Sequence, residues 1–299
     1  MDILVTGGAG YIGSHIVRLL ENTEHKVISI DYKLDGIDLA NDYEALNDLF
    51  YKNKIDVVIH TAAKKAVGES VENPEYYYEQ NIQSTNNLLK VMKEHDVKKI
   101  IFSSSAAVYG MQNSGIIKED DVCKPINPYG ETKLINEWML SNASYWGLQA
   151  ISLRFFNVAG AGWEDLKDPG KANLIPIVES NLTNGVVTKV FGTEYDTPDG
   201  SCIRDYVHVL DVASAHLAAL NSFEDGYQVF NVGTGKGHSV LEILNALGAD
   251  HEVAPKRLGD PSSLFADVSK IKNILGWEAK YTLKDILNIG KINEIIKDI

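Results

Sequence analysis

The sequence predicts an α/β protein built on a doubly wound parallel sheet with a smaller C-terminal substrate lobe. Three observations carry this. Short β-branched runs alternate with amphipathic stretches through the first half, a glycine-rich turn follows the first of these runs, and an acid closes the second. The strand-like runs are Ile3–Val5, Val27–Ile30, Val57–Ile59, Ile100–Phe102 and Ile151–Leu153. Between them Ile12, Ile16, Leu19 and Leu20 recur at helical spacing, as do Leu88, Leu89 and Met92. After Asn157-Val158-Ala159-Gly160 the texture changes. Residues 160–200 are rich in Gly, Pro, Asn and Asp and read as loops around a short helix near Ile175–Leu182. A helix near Val209–Leu220 and a strand near Val229–Asn231 look like returns to the main sheet, and residues 236–299 complete the smaller lobe. The expected division is therefore 1–159, with returns near 205–235, against an interleaved 160–299, with the site in the cleft between.

The chain has 28 basic and 41 acidic residues in 299, a formal net charge of −13. That excess argues against a general affinity for nucleic acid or an anionic membrane surface. An anionic substrate would then need positive charge concentrated at its site. No apolar run approaches bilayer-spanning length, and Met1-Asp2 opens on a short strand rather than a basic, then apolar, secretory leader. The two cysteines, Cys123 and Cys202, form neither a disulfide framework nor a metal-ligand spacing, so a cytoplasmic location is expected.

Gly7, Gly10 and Gly13 form a G-x-x-G-x-x-G turn between a strand and a helix. In such a turn the glycines allow the bend, the approach of backbone to a pyrophosphate and tight helix–strand packing. Tyr11 and Ile12 then open the helix, whose first amides and positive dipole end suit phosphates. Spaced glycines alone are a weak signal. Here a strand precedes them, a helix follows, and Asp31 ends the next strand. A carboxylate at that place hydrogen-bonds ribose hydroxyls and repels a 2′-phosphate, which selects NAD over NADP.

Tyr129 and Lys133 lie in Asn127-Pro128-Tyr129-Gly130-Glu131-Thr132-Lys133. Pro128 suits a helix first turn, and positions i and i+4 share a face, so phenol and ammonium can serve one site. A neighbouring cation and a positive nicotinamide ring would both lower the phenol pKa and make Tyr129 a general base for a sugar hydroxyl. Upstream, Ile100–Phe102 runs into Ser103-Ser104-Ser105, where a hydroxyl can reach the substrate oxygen. A serine run can equally cap its own backbone, and a Tyr-x-x-x-Lys pair alone is common on helix surfaces. Their joint presence behind the glycine turn favours a catalytic reading.

With these residues in place the chain resembles the extended short-chain dehydrogenase/reductases, and among them the UDP-glucose (UDP-galactose) 4-epimerase family. The resemblance covers nearly the whole chain. It runs through the glycine turn, His60–Ala63, Lys65–Ser70, Pro74–Asn81, Ser103–Gly110, Pro128–Lys133, Leu153–Asn157, Asp199–His208, Asn231–Gly237 and Arg257–Asp260. It implies Ser105, Tyr129 and Lys133 as the catalytic set. Around NAD it places Asp38 and Leu39 at the adenine, with Ala62, Ala63, Lys65, Asn81, Ser103 and Phe156 along the cofactor. It further implies that Lys65, Asn157, Asn173, Leu174, Arg204 and Arg257 hold the UDP-sugar, that Asp260 meets the uridine ribose, and that the protein is a homodimer. Related 4,6-dehydratases and decarboxylases carry an acid after the serine, where this chain has Ala106 and Ala107. A catalytically silent NAD-binding regulator is a further alternative, against which the intact Ser105, Tyr129 and Lys133 stand. Two departures are relevant. The loop after Asp31 reaches Asp38 quickly, so adenosine is enclosed differently, and Leu264 stands where relatives restricted to plain hexoses carry a tyrosine. Leucine leaves room for an N-acetyl group, so UDP-GlcNAc and UDP-GalNAc are expected as additional substrates.

Overall fold

The computed structural model describes residues 1–112, 115–168, 173–257 and 260–287. Its strands are β1 (Asp2–Thr6), β2 (Lys26–Ile30), β3 (Val57–His60), β4 (Lys99–Ser105), β5 (Ile116–Ile117), β6 (Gln149–Phe155), β7 (Asn157–Ala159), β8 (Thr188–Phe191), β9 (Ile203–His208), β10 (Gly226–Val232), β11 (Gly237–Ser239), β12 (His251–Ala254) and β13 (Ser263–Ala266). The helices are α1 (Tyr11–Leu20), α2 (Tyr43–Lys52), α3 (Val67–Glu72), α4 (Pro74–Tyr77), α5 (Ser84–Glu94), α6 (Pro128–Ala143), α7 (Leu174–Asn184), α8 (Val209–Ala219), α9 (Val240–Leu247), α10 (Ser269–Leu275) and α11 (Leu283–Leu287).

Six parallel strands form the main sheet in the order β10-β6-β4-β3-β1-β2. The order reverses between β1 and β3, and a crevice opens beyond their carboxyl ends. Apolar residues fill both faces of the sheet, as parallel strands require. One face packs Ile3, Val5, Ile59, Ile101 and Leu153 with α1, α8 and α10. The other packs Leu4, Val58, Ile100 and Phe102 with α2, α5 and α6. Every strand read from the sequence in the first half is present, and the late returns are β10 in the main sheet and α8 beneath it. A second sheet, β11-β9-β13-β5 with β7 beside β9, carries the later part of the chain.

Four histidines, His15, His60, His208 and His216, are buried within this framework. Burial disfavours their cations and lowers His15 and His216 to about 4 and His60 and His208 to about 3. The unfolded chain then binds more protons than the folded one between the ordinary imidazole value of 6.5 and these values, so stability falls as pH drops through that window. Asp211, raised to about 6 by burial, opposes this over its own window, as do Glu119, Glu179 and Asp205, which burial also raises. The melting temperature is therefore expected to fall between pH 7 and pH 5, and His60→Gln should flatten that slope; an equally steep slope in the variant would count against this origin.

Candidate active site

Beyond the crevice lies a cavity of about 860 Å3. Its wall includes Gly7, Gly10, Tyr11, Ile12 and Gly13 from the turn and α1, Asp31, Asp38 and Leu39 from the next loop, and Ala62, Ala63 and Lys65 after β3. Ser103, Tyr129 and Lys133 also line it. Two expected cofactor contacts lie elsewhere. Asn81 is buried behind the wall, accepting from the Lys64 amide at 2.8 Å. Phe155 lines the cavity, whereas Phe156 packs into a neighbouring cluster with Ala106, Val108 and Leu134. Phe155 ends β6 and Phe156 follows it, and the two side chains enter different clusters.

The residues of the turn fit a dinucleotide. Gly7 has φ +74°, and a Cβ there would stand 2.7 Å from the Ala62 amide nitrogen; a Cβ on Gly13 would stand 2.1 Å from Gly7 O. Helix α1 starts with no side-chain cap at Gly10, which leaves its leading amides to an anion. The Asp31 carboxylate accepts from the Ala9 amide at 3.3 Å and the Lys33 amide at 2.9 Å, anchoring turn and loop together. Asp38 is engaged by the Ala40 amide and Asn41 Nδ2, so it also shapes its own turn.

Opposite the turn, α6 begins at Pro128 with Asn127 accepting from the Gly130 amide at 2.8 Å. A Cβ on Gly130 would sit 2.6 Å from Ala107 O, so glycine lets this helix close onto the end of β4. Lys133 is buried and donates from Nζ to Ser103 O at 2.7 Å. Ser105 accepts from the Ala107 amide at 3.2 Å and also hydrogen-bonds Tyr129. The electrostatics differ from the simple expectation. Burial pushes the Tyr129 phenol up, and the Ser105 hydrogen bond only offsets it in part. Burial also brings Lys133 down to about 7, with Glu137 acting against that fall. Both groups have left water for the cleft wall, and each loses its charged form more easily there.

The remaining candidates lie on the second sheet and the segment before it. In β9, Arg204 is registered against Leu264 of β13 and donates to Ile203 O and Pro261 O, with Asp260 Oδ1 3.5 Å from Nη2. Asn157 pairs with Tyr206 across β7 and β9. The Arg257 guanidinium lies 3.8 Å from the centre of the Phe191 ring. Asn173 precedes α7, which Leu174 begins. Leu264 packs against the cluster of Ala106, Val108 and Phe156, close behind the end of β4.

Sequence reasoning missed the segment that spans α1. Gly160 O accepts from the Tyr11 hydroxyl at 2.5 Å, and the Gly162 amide donates to His15 Nε2 at 3.0 Å. Arg18 forks onto Asp165 at 2.9 and 2.7 Å, and Lys65 reaches Asp168 at 3.0 Å. Asn173 Nδ2 also donates to Asp168, at 2.8 Å. Asp165, Leu166 and Lys167 thereby become part of the cavity wall. No local spacing signals these contacts, since Lys65 and Asp168 are 103 residues apart.

Known proteins resemble this chain in sequence and in fold. A UDP-glucose 4-epimerase of Halalkalibacterium halodurans is 46% identical over 306 aligned residues, covering 94% of this chain and 91% of that protein. The crystal structure of UDP-glucose 4-epimerase from Bifidobacterium longum, in complex with NAD+ and UDP, superposes with a TM-score of 0.87 at 38% identity. It covers 100% of this chain and 99% of its own. The UDP-Glc/GlcNAc 4-epimerase of Campylobacter jejuni gives 0.85 at 36% identity, with 99% of each chain covered. Residues 3–233 match the model of the NAD dependent epimerase/dehydratase family. With its glycine turn, its Tyr129–Lys133 pair and its serine-ended strand set around one cleft, the chain belongs to that family.

Proposed function

We propose that this protein is an NAD-dependent UDP-hexose 4-epimerase that interconverts UDP-glucose and UDP-galactose through a transient 4-keto sugar. The observation that carries the reading is the meeting of Tyr129 and Lys133 in the wall of the cavity that the glycine turn also lines, with Ser105 behind that wall against Tyr129 and Ala106 and Ala107 following the serine. Alanines there cannot transfer protons, which disfavours dehydration. We further propose that residues 1–159, with the returns near 205–235, hold NAD, and that the rest of 160–299 holds the UDP-sugar.

NAD, when bound, would supply the hydride acceptor and then the hydride donor for the sugar C4. The chain supplies the rest. The α1 amides and Asp31 would hold the pyrophosphate and the adenosine ribose, and Lys133 the nicotinamide ribose. Tyr129 would remove the 4-hydroxyl proton as a general base while Ser105 steadies the oxygen and the phenol. Its raised pKa must be overcome at that moment, and a charged Lys133 beside it does so. Arg204, Arg257, Lys65 and Asn173 would hold the diphosphate, with Asp260 on the uridine ribose. The guanidinium fork suits phosphate oxygens. A firm hold on the nucleotide and a loose one on the sugar allow the ketone to turn over and be reduced on its other face.

A cytoplasmic location is supported by the two free thiols, Cys123 and Cys202, and no helix among the described residues is long and apolar enough to cross a membrane. A homodimer through α5 and α6 is supported by the exposure of Trp138 and Lys90 on those helices. The leucine at 264 and the dual-substrate Campylobacter relative support activity on N-acetylated sugars.

The purified protein is expected to epimerise UDP-galactose and to carry nicotinamide absorbance. Tyr129→Phe should lower turnover by at least about 100-fold with NAD still bound, the range for loss of a general base; full activity in that variant would exclude Tyr129. Leu264→Tyr should depress kcat/KM for UDP-GlcNAc while sparing UDP-galactose, and undiminished acetamido activity would remove the pocket argument. Asp168→Asn, which frees Lys65 and Asn173 from their shared carboxylate, should release NAD during gel filtration, with activity restored by added NAD. A variant that retains its full complement of cofactor would show that these Asp168 contacts do not hold it.

A further inference from the structure

We infer that Glu137 is a positioning residue for Lys133, a third member of the α6 ladder whose carboxylate is locked in place by Arg154 and Ser104. Its consequence for catalysis rests on the epimerase reading; its geometry stands independently. Tyr129, Lys133 and Glu137 follow one another at four-residue intervals and so share one face of α6. The three serines that end β4 meet them one by one. Ser105 hydrogen-bonds Tyr129, the Ser103 carbonyl accepts from Lys133 at 2.7 Å, and Ser104 Oγ donates to Glu137 Oε1 at 2.5 Å.

Arg154 in β6 completes the lock with two bonds to the same carboxylate, Nε to Oε1 at 2.9 Å and Nη2 to Oε2 at 2.6 Å. Both side chains are almost fully buried, 6% and 3% exposed. Arg154 Nη1 is itself held by the Tyr109 hydroxyl at 2.8 Å and Glu119 O at 3.2 Å, and Tyr109 donates to Asn231 Oδ1 at 2.6 Å. Packing alone does not call for such a pair, because apolar side chains of similar volume serve a core as well or better. What apolar side chains cannot do is place a negative charge one helical turn from a buried ammonium.

The groups around these two residues leave that charge to act. Lys133 faces His60 from β3, which burial keeps neutral, and Tyr129 on its own helix. Glu137 faces Arg154, with Tyr109, Cys123 and Tyr227 nearby, and burial raises all three of those acids and keeps them neutral. Glu137 opposes the burial that brings Lys133 down to about 7, and so keeps it cationic to a higher pH. A neutral lysine could neither support the Tyr129 phenolate nor donate all its protons to neighbouring oxygens.

The test follows Lys133 directly. Holoenzyme carrying carbon-labelled lysine is titrated by NMR, with Lys133→Met identifying the resonance, for the wild type, Glu137→Gln and Glu137→Gln/Arg154→Gln. The Lys133 midpoint is expected to fall by about one unit in Glu137→Gln, as for loss of one nearby opposite charge, and by less in the double variant, which also removes the Arg154 cation. The alkaline limb of kcat should move with it. Ser104→Ala keeps both charges and should leave the midpoint unchanged. The double variant leaves no unpaired buried ion and guards against misfolding of the single one. A wild-type midpoint in either folded variant, or a double variant that does not fold, would assign Glu137 to packing and overturn the proposal. Absence of UDP-sugar turnover in the wild type would instead sink the epimerase reading, and the midpoint shift would still report the placement of Glu137.

Discussion

Strands β1 and β3 run side by side, but the chain leaves them for opposite flanks of the sheet, and the gap beyond their ends must admit a ligand's phosphates. Only backbone can line so narrow a gap. That constraint dictates glycine at 7 and 13, where a Cβ would run into Ala62 and into the turn itself. It also sets where the reactive side chains can come from. They must be delivered from the next strand across, β4, and from the helix that closes on its end. The same demand for close approach recurs there, with Gly130 against the carbonyl of Ala107. The glycine turn and the closure of the Tyr129 helix are thus two results of one packing problem, solved on both sides of one crevice.

Much of this was legible in the residues because it is written locally. Strand runs, the capped start of α6 and the glycine turn are encoded by periods of two, three or four residues. The second sheet is not. Ile116–Ile117 makes a two-residue strand whose partners are Phe265 and Ala266, and nothing near either pair announces the other. The cofactor wall shows the same limit. Its glycines and Asp31 could be named in advance, whereas Asp165 to Lys167 enter through long-range contacts to α1. Phe156 was expected at the cofactor, whereas Phe155 lines the cavity, a difference of one residue at the end of β6.

In a chain with 41 acidic residues, the cations that would bind a diphosphate are not left bare. Arg204 lies beside Asp260, and Lys65 and Asn173 share Asp168. An acidic surface can hold such cations pre-oriented only by giving them internal counter-charges. An incoming anion then exchanges partners rather than entering an empty positive basin, and discrimination comes from geometry as well as charge.

The edge position of β10 has a consequence for how the molecule is made. Its seven residues pair along the full length of β6, although some 70 residues separate them in the chain. Until residue 232 has been synthesised, β6 presents an unpaired backbone edge, the kind of surface that recruits strands from other molecules. Contacts of such sequence separation also close slowly. The first half of the chain is therefore not a detachable module. Cut after β7, it would carry an open, sticky margin, and its solubility depends on a strand the ribosome delivers late.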